Sequence, residues 1–183
     1  EVGFVRQEQT RGTGDAVASA LKVMPSAGVV VVLCGDTPLV RAETLQQLLA
    51  IHGDNLATVV STVVADPARY GRLVRDTGPL RIVEADNATP EQLEIQEINT
   101  GIYAFDAAFL HEVVPGLPPH PPKGEIYLTD VLQLAAERGR AGVMCAPDPD
   151  EFLGVNDRWA LSQARAILQR RVIRSIALSG VTL

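Results

Sequence analysis

The sequence predicts an α/β fold built on a largely parallel sheet with an added β-hairpin. Two observations carry this. Apolar runs alternate with helical stretches along the whole chain. The run Val29-Val30-Val31-Val32-Leu33-Cys34, bounded by Gly28 and Gly35, is apolar on both faces, as in a central parallel strand covered by helices and flanked by neighbours. With 183 residues, 46% of them hydrophobic, the chain can bury a real core.

The elements follow in order. Thr13 to Met24 reads as a helix capped by Thr13, with Ala16, Val17, Ala20 and Leu21 as its stripe and Pro25 beyond its end. Arg41 to His52 is helical, with Leu45, Leu48 and Leu49 on one face and Gly53 as its stop. A valine-rich strand covers Ala57 to Ala65. Leu73 to Arg75 and Leu80 to Glu84 flank the turn sequence Asp76-Thr77-Gly78-Pro79 and form the hairpin. Glu97 to Phe105 is a strand interrupted by Gly101, and Asp106 caps a short helix to Val114. Five prolines in the eight residues Pro115 to Pro122 demand a loop. Thr129 to Arg138 is helical, Val143 to Cys145 a short strand, and Asp157 to about Ile176 a long closing helix.

Composition narrows the function. Sixteen basic against 22 acidic residues leave a formal charge of −6 without a basic cluster, which excludes the footprint of a nucleic-acid binder. No apolar run approaches the ~18 residues of a membrane span, and no signal peptide is legible. Cys34 and Cys145 read as two free, buried thiols of a reducing compartment, so the expected location is the cytoplasm. His52, His111 and His120 lack zinc-ligand spacing, and no Gly-x-Ser-x-Gly elbow exists.

Five stretches carry candidate chemistry. In Cys34-Gly35-Asp36-Thr37-Pro38, Asp36 at a strand end suits either a Mg²⁺ ligand or an Asx-type turn. Gly12-Thr13-Gly14 before a helix offers backbone N–H groups to a ligand, or is simply a cap. Asn99, Thr100 and Gly101 put polar groups and a glycine in an apolar strand, marking a bulge or a nearby ligand. Glu125, Tyr127, Thr129 and Asp130 combine a helix-capping pair with side chains able to face a cleft. Asn156 or Asp157 caps the last helix.

In order and spacing these stretches are similar to one enzyme family. The carriers are Gln7 with Gly12-Thr13-Gly14, Gly35-Asp36-Thr37-Pro38-Leu39, Tyr70-Gly71-Arg72 and Ile82-Val83-Glu84. They continue through Gln96-Glu97-Ile98-Asn99-Thr100-Gly101, Gly124-Glu125-Ile126-Tyr127-Leu128-Thr129-Asp130 and Gly154-Val155-Asn156. From about Val5 onward the chain resembles the uridylyltransferase domain of the bacterial bifunctional N-acetylglucosamine-1-phosphate uridylyltransferase/glucosamine-1-phosphate acetyltransferases.

The resemblance implies a Rossmann-like nucleotidyltransferase sheet and transfer of UMP from UTP to N-acetylglucosamine 1-phosphate, for cell-wall precursor synthesis. It implies that Gln7, Gly12 and Thr13 hold uracil, and that Asp36 and Asn156 are the catalytic pair binding Mg²⁺. Gly35, Asp36 and Asn156 also count among the substrate contacts. Gly71, Glu84, Asn99, Tyr127 and Thr129 would hold the sugar. Residues 1–156 would be the transferase domain and 157–183 a closing helix leading to a left-handed β-helix, through which the full-length family forms homotrimers. Two alternatives stay open: a nucleotidyltransferase for another sugar phosphate, and a non-catalytic sugar-nucleotide binding module.

Two departures shape a further expectation. The family's first strand and its phosphate loop, bearing an arginine and a lysine, have no counterpart before Gln7. The chain's only lysines are Lys22 and Lys123. The 183 residues therefore read as an internal piece, expected to be poorly soluble alone because Val29 to Cys34 would form a raw sheet edge, and without uridylyl transfer because the cationic loop that neutralises the triphosphate is missing.

Overall fold

The computed structural model describes residues 2–182. Six strands form one sheet: β1 (Val29–Val32), β2 (Ala57–Val63), β3 (Arg72–Val74), β4 (Arg81–Val83), β5 (Glu97–Asp106) and β8 (Ala141–Ala146). β5 is its spine. Along one edge it pairs antiparallel with β2, which continues in parallel to β8. Its other edge is divided: Tyr103 to Asp106 pair with β1, whereas Ile98 pairs with Arg72 of β3. β4 closes the hairpin with β3. β1, β2, β3 and β8 therefore run one way, and β4 and β5 the other.

Helices cover both faces. Strand alternation sends Ala57, Val59, Tyr103 and Phe105 to a core shared with α1 (Thr13–Ala20), α4 (Ala107–Val113) and α5 (Thr129–Glu137). Val60, Ile102, Ala104 and Met144 face the opposite way, toward Leu48 of α2 (Ala42–His52) and Phe152. The hairpin and the strands at Ala57, Glu97 and Val143 thus lie where the sequence predicts them.

β1 departs from expectation. It is not central and its one partner is antiparallel. Among the described residues its other edge is unpaired, and Val29 and Leu33 stand about half exposed. A β-branched run records high strand propensity but not which neighbours flank it. Leu49 likewise lies exposed, and α2 instead buries Thr44, Leu48 and His52, the last with Nδ1 2.9 Å from Thr58 Oγ1. Cys145 points outward and is exposed, while Cys34 is partly buried; both are free thiols. The proline segment is not wholly loop, since β6 (Pro119–His120) pairs with β7 (Glu125–Ile126). A short helix unforeseen in the sequence, α3 (Pro90–Leu93), starts at a capping box made by Thr89 and Gln92.

Two threonines expected to cap helices do not. Thr13 is the first residue of α1, and its hydroxyl accepts from the Leu128 N–H at 3.1 Å. Thr129 opens α5 without a side-chain cap bond. The last helix, α6 (Arg158–Leu178), is capped by Asp157, whose Oδ1 takes the Ala160 N–H at 2.7 Å. Buried Glu151 pins the segment before it. Its carboxylate accepts from Thr44 Oγ1, Arg41 N and Arg41 Nε, locking the 149–152 turn to the start of α2. That lock fixes the chain just ahead of Gly154 and Asn156. No helix among the described residues is long and apolar enough to cross a membrane.

Candidate functional site

Where β1 and β3 part along β5, a cavity of about 430 Å³ opens. Its origin lies in the sequence Asn99-Thr100-Gly101. Between Ser61↔Asn99 and Val59↔Tyr103, β5 carries two residues more than β2, so the strand bulges. Gly101 sits at φ +76°, and a Cβ there would lie 2.6 Å from Cys34 Sγ, so only glycine fits without displacement. The buried Thr100 hydroxyl donates to the Val60 carbonyl at 2.7 Å, satisfying a group near the interrupted ladder. Asn99 Oδ1 accepts from the Gly101 N–H and from the Tyr103 hydroxyl, both at 3.0 Å. The bulge and the cavity are one feature, and the polar residues in this strand serve both.

One end of the cavity gathers four residues named from the sequence. Asn99 N donates to the Gly71 carbonyl at 2.8 Å. A Cβ on Gly71 would meet Ile82 Cγ2 at 2.9 Å and Glu84 Oε2 at 3.3 Å, so its lack of a side chain leaves room for that carboxylate. Burial, and then repulsion from Asp130, Asp86 and Glu125, raises the Glu84 carboxyl above the usual Glu range, with no hydrogen bond to offset it. Thr129 completes this end. A half-buried acceptor without a donor is suited to a ligand hydroxyl. The buried Tyr103 hydroxyl is likewise raised, chiefly by burial, and stays neutral as an Asn99 donor.

The other end joins two segments 120 positions apart. Asp36 follows β1 on a turn closed by the Thr37 hydroxyl on the Cys34 carbonyl, and the Asp36 carbonyl accepts the Val155 N–H at 2.8 Å. A Cβ on Gly154 would lie 3.3 Å from Asn156 Nδ2 and 3.8 Å from Asp36 Oδ2, so both side chains converge on one spot. Tyr70 buttresses the loop, its hydroxyl receiving the Gly154 N–H at 3.4 Å. No group of three or more His, Cys, Asp or Glu side chains among the described residues could hold a metal. One carboxylate plus one carboxamide, both exposed to the cavity, nevertheless fit Mg²⁺, which keeps most of its shell for water and phosphate oxygens.

Not every predicted residue lines the cavity. Asp36, Gly71, Glu84, Asn99, Thr129, Asn156 and Thr13 do; Gln7, Gly12, Gly35 and Tyr127 do not. Gln7 Nε2 is engaged by Asp15 Oδ2 at 2.7 Å. Gly12 and Gly14 let α1 dock on β7, where an added Cβ would lie 2.6 and 2.7 Å from Ile126 atoms. Tyr127 stacks on His120 with ring centroids 4.7 Å apart and gives its hydroxyl to Glu125 Oε2. Asp130, read as part of a cap, accepts from His120 at 2.7 Å. Sequence reasoning missed Tyr103 and Arg69 as lining residues. Only the i,i+4 spacing of Asn99 and Tyr103 on one strand face hinted at the first.

Comparison with known proteins gives consistent results. Residues 1–150 match the family described as nucleotidyl transferase. The "Bifunctional protein GlmU" of Pelobacter propionicus is 42% identical over the full chain, and that of Thermobifida fusca is 44% identical over 96% of it. The chain spans 41% and 38% of those two proteins, respectively. Among solved structures, a putative glucose-1-phosphate thymidylyltransferase from Bacillus anthracis superposes with a TM-score of 0.63 at 19% identity, covering 87% of this chain and 62% of that one. At that identity the likeness concerns the fold.

Proposed function

The chain belongs to the nucleotidyl transferase family, and we propose that it transfers UMP from UTP to N-acetylglucosamine 1-phosphate. The observation that carries this reading is the two-ended cavity, with a carboxylate–carboxamide pair at one end and a hydroxyl-accepting end formed by Gly71, Glu84, Asn99 and Thr129. The identity to GlmU proteins along the whole chain supports it.

In the proposed reaction a sugar 1-phosphate oxygen attacks the α-phosphorus of UTP and pyrophosphate leaves. No general base is needed, because a phosphate monoester is largely ionised near pH 7. The protein's work is alignment. Glu84 and Asn99 Nδ2 hold sugar hydroxyl and amide groups, and Gly71 keeps the wall clear. Thr13 faces the nucleotide. Asp36 and Asn156 would hold Mg²⁺, which when bound neutralises charge on the phosphate oxygens. Gln7, Gly12, Gly35 and Tyr127, outside the cavity's lining, would meet the parts of the substrates that extend beyond it.

Residues 1–156 form the transferase unit in this reading, and the helix that follows closes against it, Arg171 Nη1 donating to the Leu39 carbonyl at 2.7 Å. UTP and sugar phosphates as substrates favour a cytoplasmic setting. Acetyl transfer and trimer formation belong to the remainder of the longer relatives. The test is pyrophosphate release with Mg²⁺, UTP and N-acetylglucosamine 1-phosphate, run on the chain alone and joined to the flanking residues of the Pelobacter relative. Absence of release from both, or equal release with any sugar phosphate, overturns the assignment.

Asn99 gives a sharper expectation. Because its Oδ1 is occupied by Gly101 and Tyr103, Asn99→Asp keeps an acceptor for both, while it replaces the Nδ2 donor with a carboxylate oxygen and adds a charge in the cavity that holds Glu84. Asn99→Asp is expected to raise the KM for the sugar phosphate about tenfold or more, the worth of one hydrogen bond to a charged or polar ligand group, and to spare that for UTP. Equal changes in both would remove Asn99 from the sugar end.

Glu84 supplies a pH dependence with a definite sign. Its raised pKa means that, as pH climbs past the ordinary Glu value of about 4.3, the unfolded chain ionises first. The empty protein thus loses stability as pH rises through the folded pKa of Glu84. A sugar hydroxyl that favours the ionised form binds less well as pH falls through that same raised value. Affinity for N-acetylglucosamine, which has no titrating phosphate, is expected to drop on acidification above pH 4.3, and Glu84→Gln is expected to flatten the profile. Calorimetry across pH 4.5–7.5, roughly spanning that range, provides the check.

A further inference from the structure

We infer that Arg69 is the side chain that receives the phosphate of the sugar phosphate. This deepens the proposed function and rests on it. Among the described residues lining the cavity, Asp36 and Glu84 are acidic and Arg69 is the one Lys or Arg. A site whose ligand brings a dianionic phosphate past two carboxylates needs a cation facing it.

The loop that carries Arg69 is built with care for its shape. Ala68 takes φ +41°, a left-handed conformation unusual for a residue with a Cβ. Buried Arg72 holds it there, donating to the carbonyls of Pro67, Ala68 and Tyr70. Asp66 Oδ1 takes the Ala68 N–H at 3.0 Å. Arg72 is held in the loop by its Nη1 and Nη2 bonds to backbone carbonyls, its buried Nε having no partner, and it does not line the cavity; the cation left for a ligand is its neighbour three residues back. Arg69 is 90% exposed and its one ionic contact, Asp86 at 3.7 Å, is itself 72% exposed. Such a pair is weak and readily exchanged for a doubly charged partner.

Position selects which phosphate. Two residues after Arg69 comes Gly71, beside Glu84. One residue after it comes Tyr70, whose hydroxyl meets the Gly154 N–H next to Asp36 and Asn156. Arg69 therefore belongs to the loop that links the two ends, and its guanidinium lies on the Asp86 side, next to the hydroxyl-accepting end. A sugar 1-phosphate with its ring against Glu84 and Asn99 presents its phosphate there.

The test compares binding of N-acetylglucosamine 1-phosphate with N-acetylglucosamine by calorimetry at low salt. The wild-type chain is expected to prefer the phosphorylated sugar. Arg69→Gln is expected to cut that preference about 10–100-fold, as loss of a charge-assisted contact does, leaving affinity for the unphosphorylated sugar unchanged. Arg69→Lys is expected to retain part of the preference, and Asp86→Asn to increase it. A preference unaltered by Arg69→Gln, in a variant with an unshifted thermal transition, overturns the assignment of Arg69 alone. No binding of either sugar to the wild type overturns the sugar-phosphate reading, and this inference with it. In turnover, Arg69→Gln is expected to raise the sugar-phosphate KM and not that for UTP; parallel increases count against it.

Discussion

Asp36→Asn is expected to lower uridylyl transfer by roughly 10²–10³-fold, the equivalent of the several kcal/mol of charge stabilisation a metal supplies. The variant keeps the turn intact, because the fold uses the backbone carbonyl of Asp36, which accepts from Val155. The side chain is free for the cavity, converging with Asn156 near Gly154. Thermal stability should therefore be unchanged, and the loss should appear in the Mg²⁺ dependence of turnover by the chain joined to its relative's flanking residues. Turnover at the wild-type level in Asp36→Asn would remove this residue from the reaction. A loss matched by a lower melting temperature would mean that it is structural.

Phe105→Ala is expected to cost about 3–5 kcal/mol, as truncation of a fully buried aromatic does. That is a large part of the 5–15 kcal/mol typical of a whole domain. The position is unusually exposed to consequence. Phe105 is fully buried, stacks on Tyr103 at 5.3 Å, and pairs with Val30 on one edge of β5 and Ala57 on the other. A void there loosens both neighbours of the central strand. Urea titration followed by circular dichroism measures it, and a midpoint within error of wild type would contradict the packing described.

Local signals sufficed where one element specifies itself. The turn Asp76-Thr77-Gly78-Pro79 predicts its hairpin because Asp76 bonds the Gly78 N–H and pairs with Arg81 within five residues. Asp106 and Asp157 cap their helices through N–H groups three residues on. Misreadings arose where a partner lies far away in sequence. Thr13 looks like a cap because nothing nearby announces that Leu128 will claim its hydroxyl. Four consecutive valines do not reveal whether one neighbour or two will flank them. At the site, Asn99 was legible because a polar group in an apolar strand needs a reason, whereas Glu84 and Gly71 came only with the family resemblance. Arg69 was not legible, since an arginine in a loop is ordinary until the loop is seen bent over a cavity.

The divided edge of β5 turns that strand into a measuring rod. β1 and β3 are attached at fixed rungs, Tyr103 and Ile98, and the gap between them sets how far the two ends of the cavity stand apart. Backbone length comes in whole residues of about 3.4 Å, and each added residue also swaps inward for outward side chains. The span of ligand this scaffold accommodates is therefore stepped. Single substitutions along the walls can trim it, whereas an insertion between Asn99 and Ile102 would fall in the bulge and shift one bank against the other. Variation in what the cavity admits is then confined to its lining and its mouth, and the 67–70 loop, anchored outside the rod, is where it can occur without refolding the sheet.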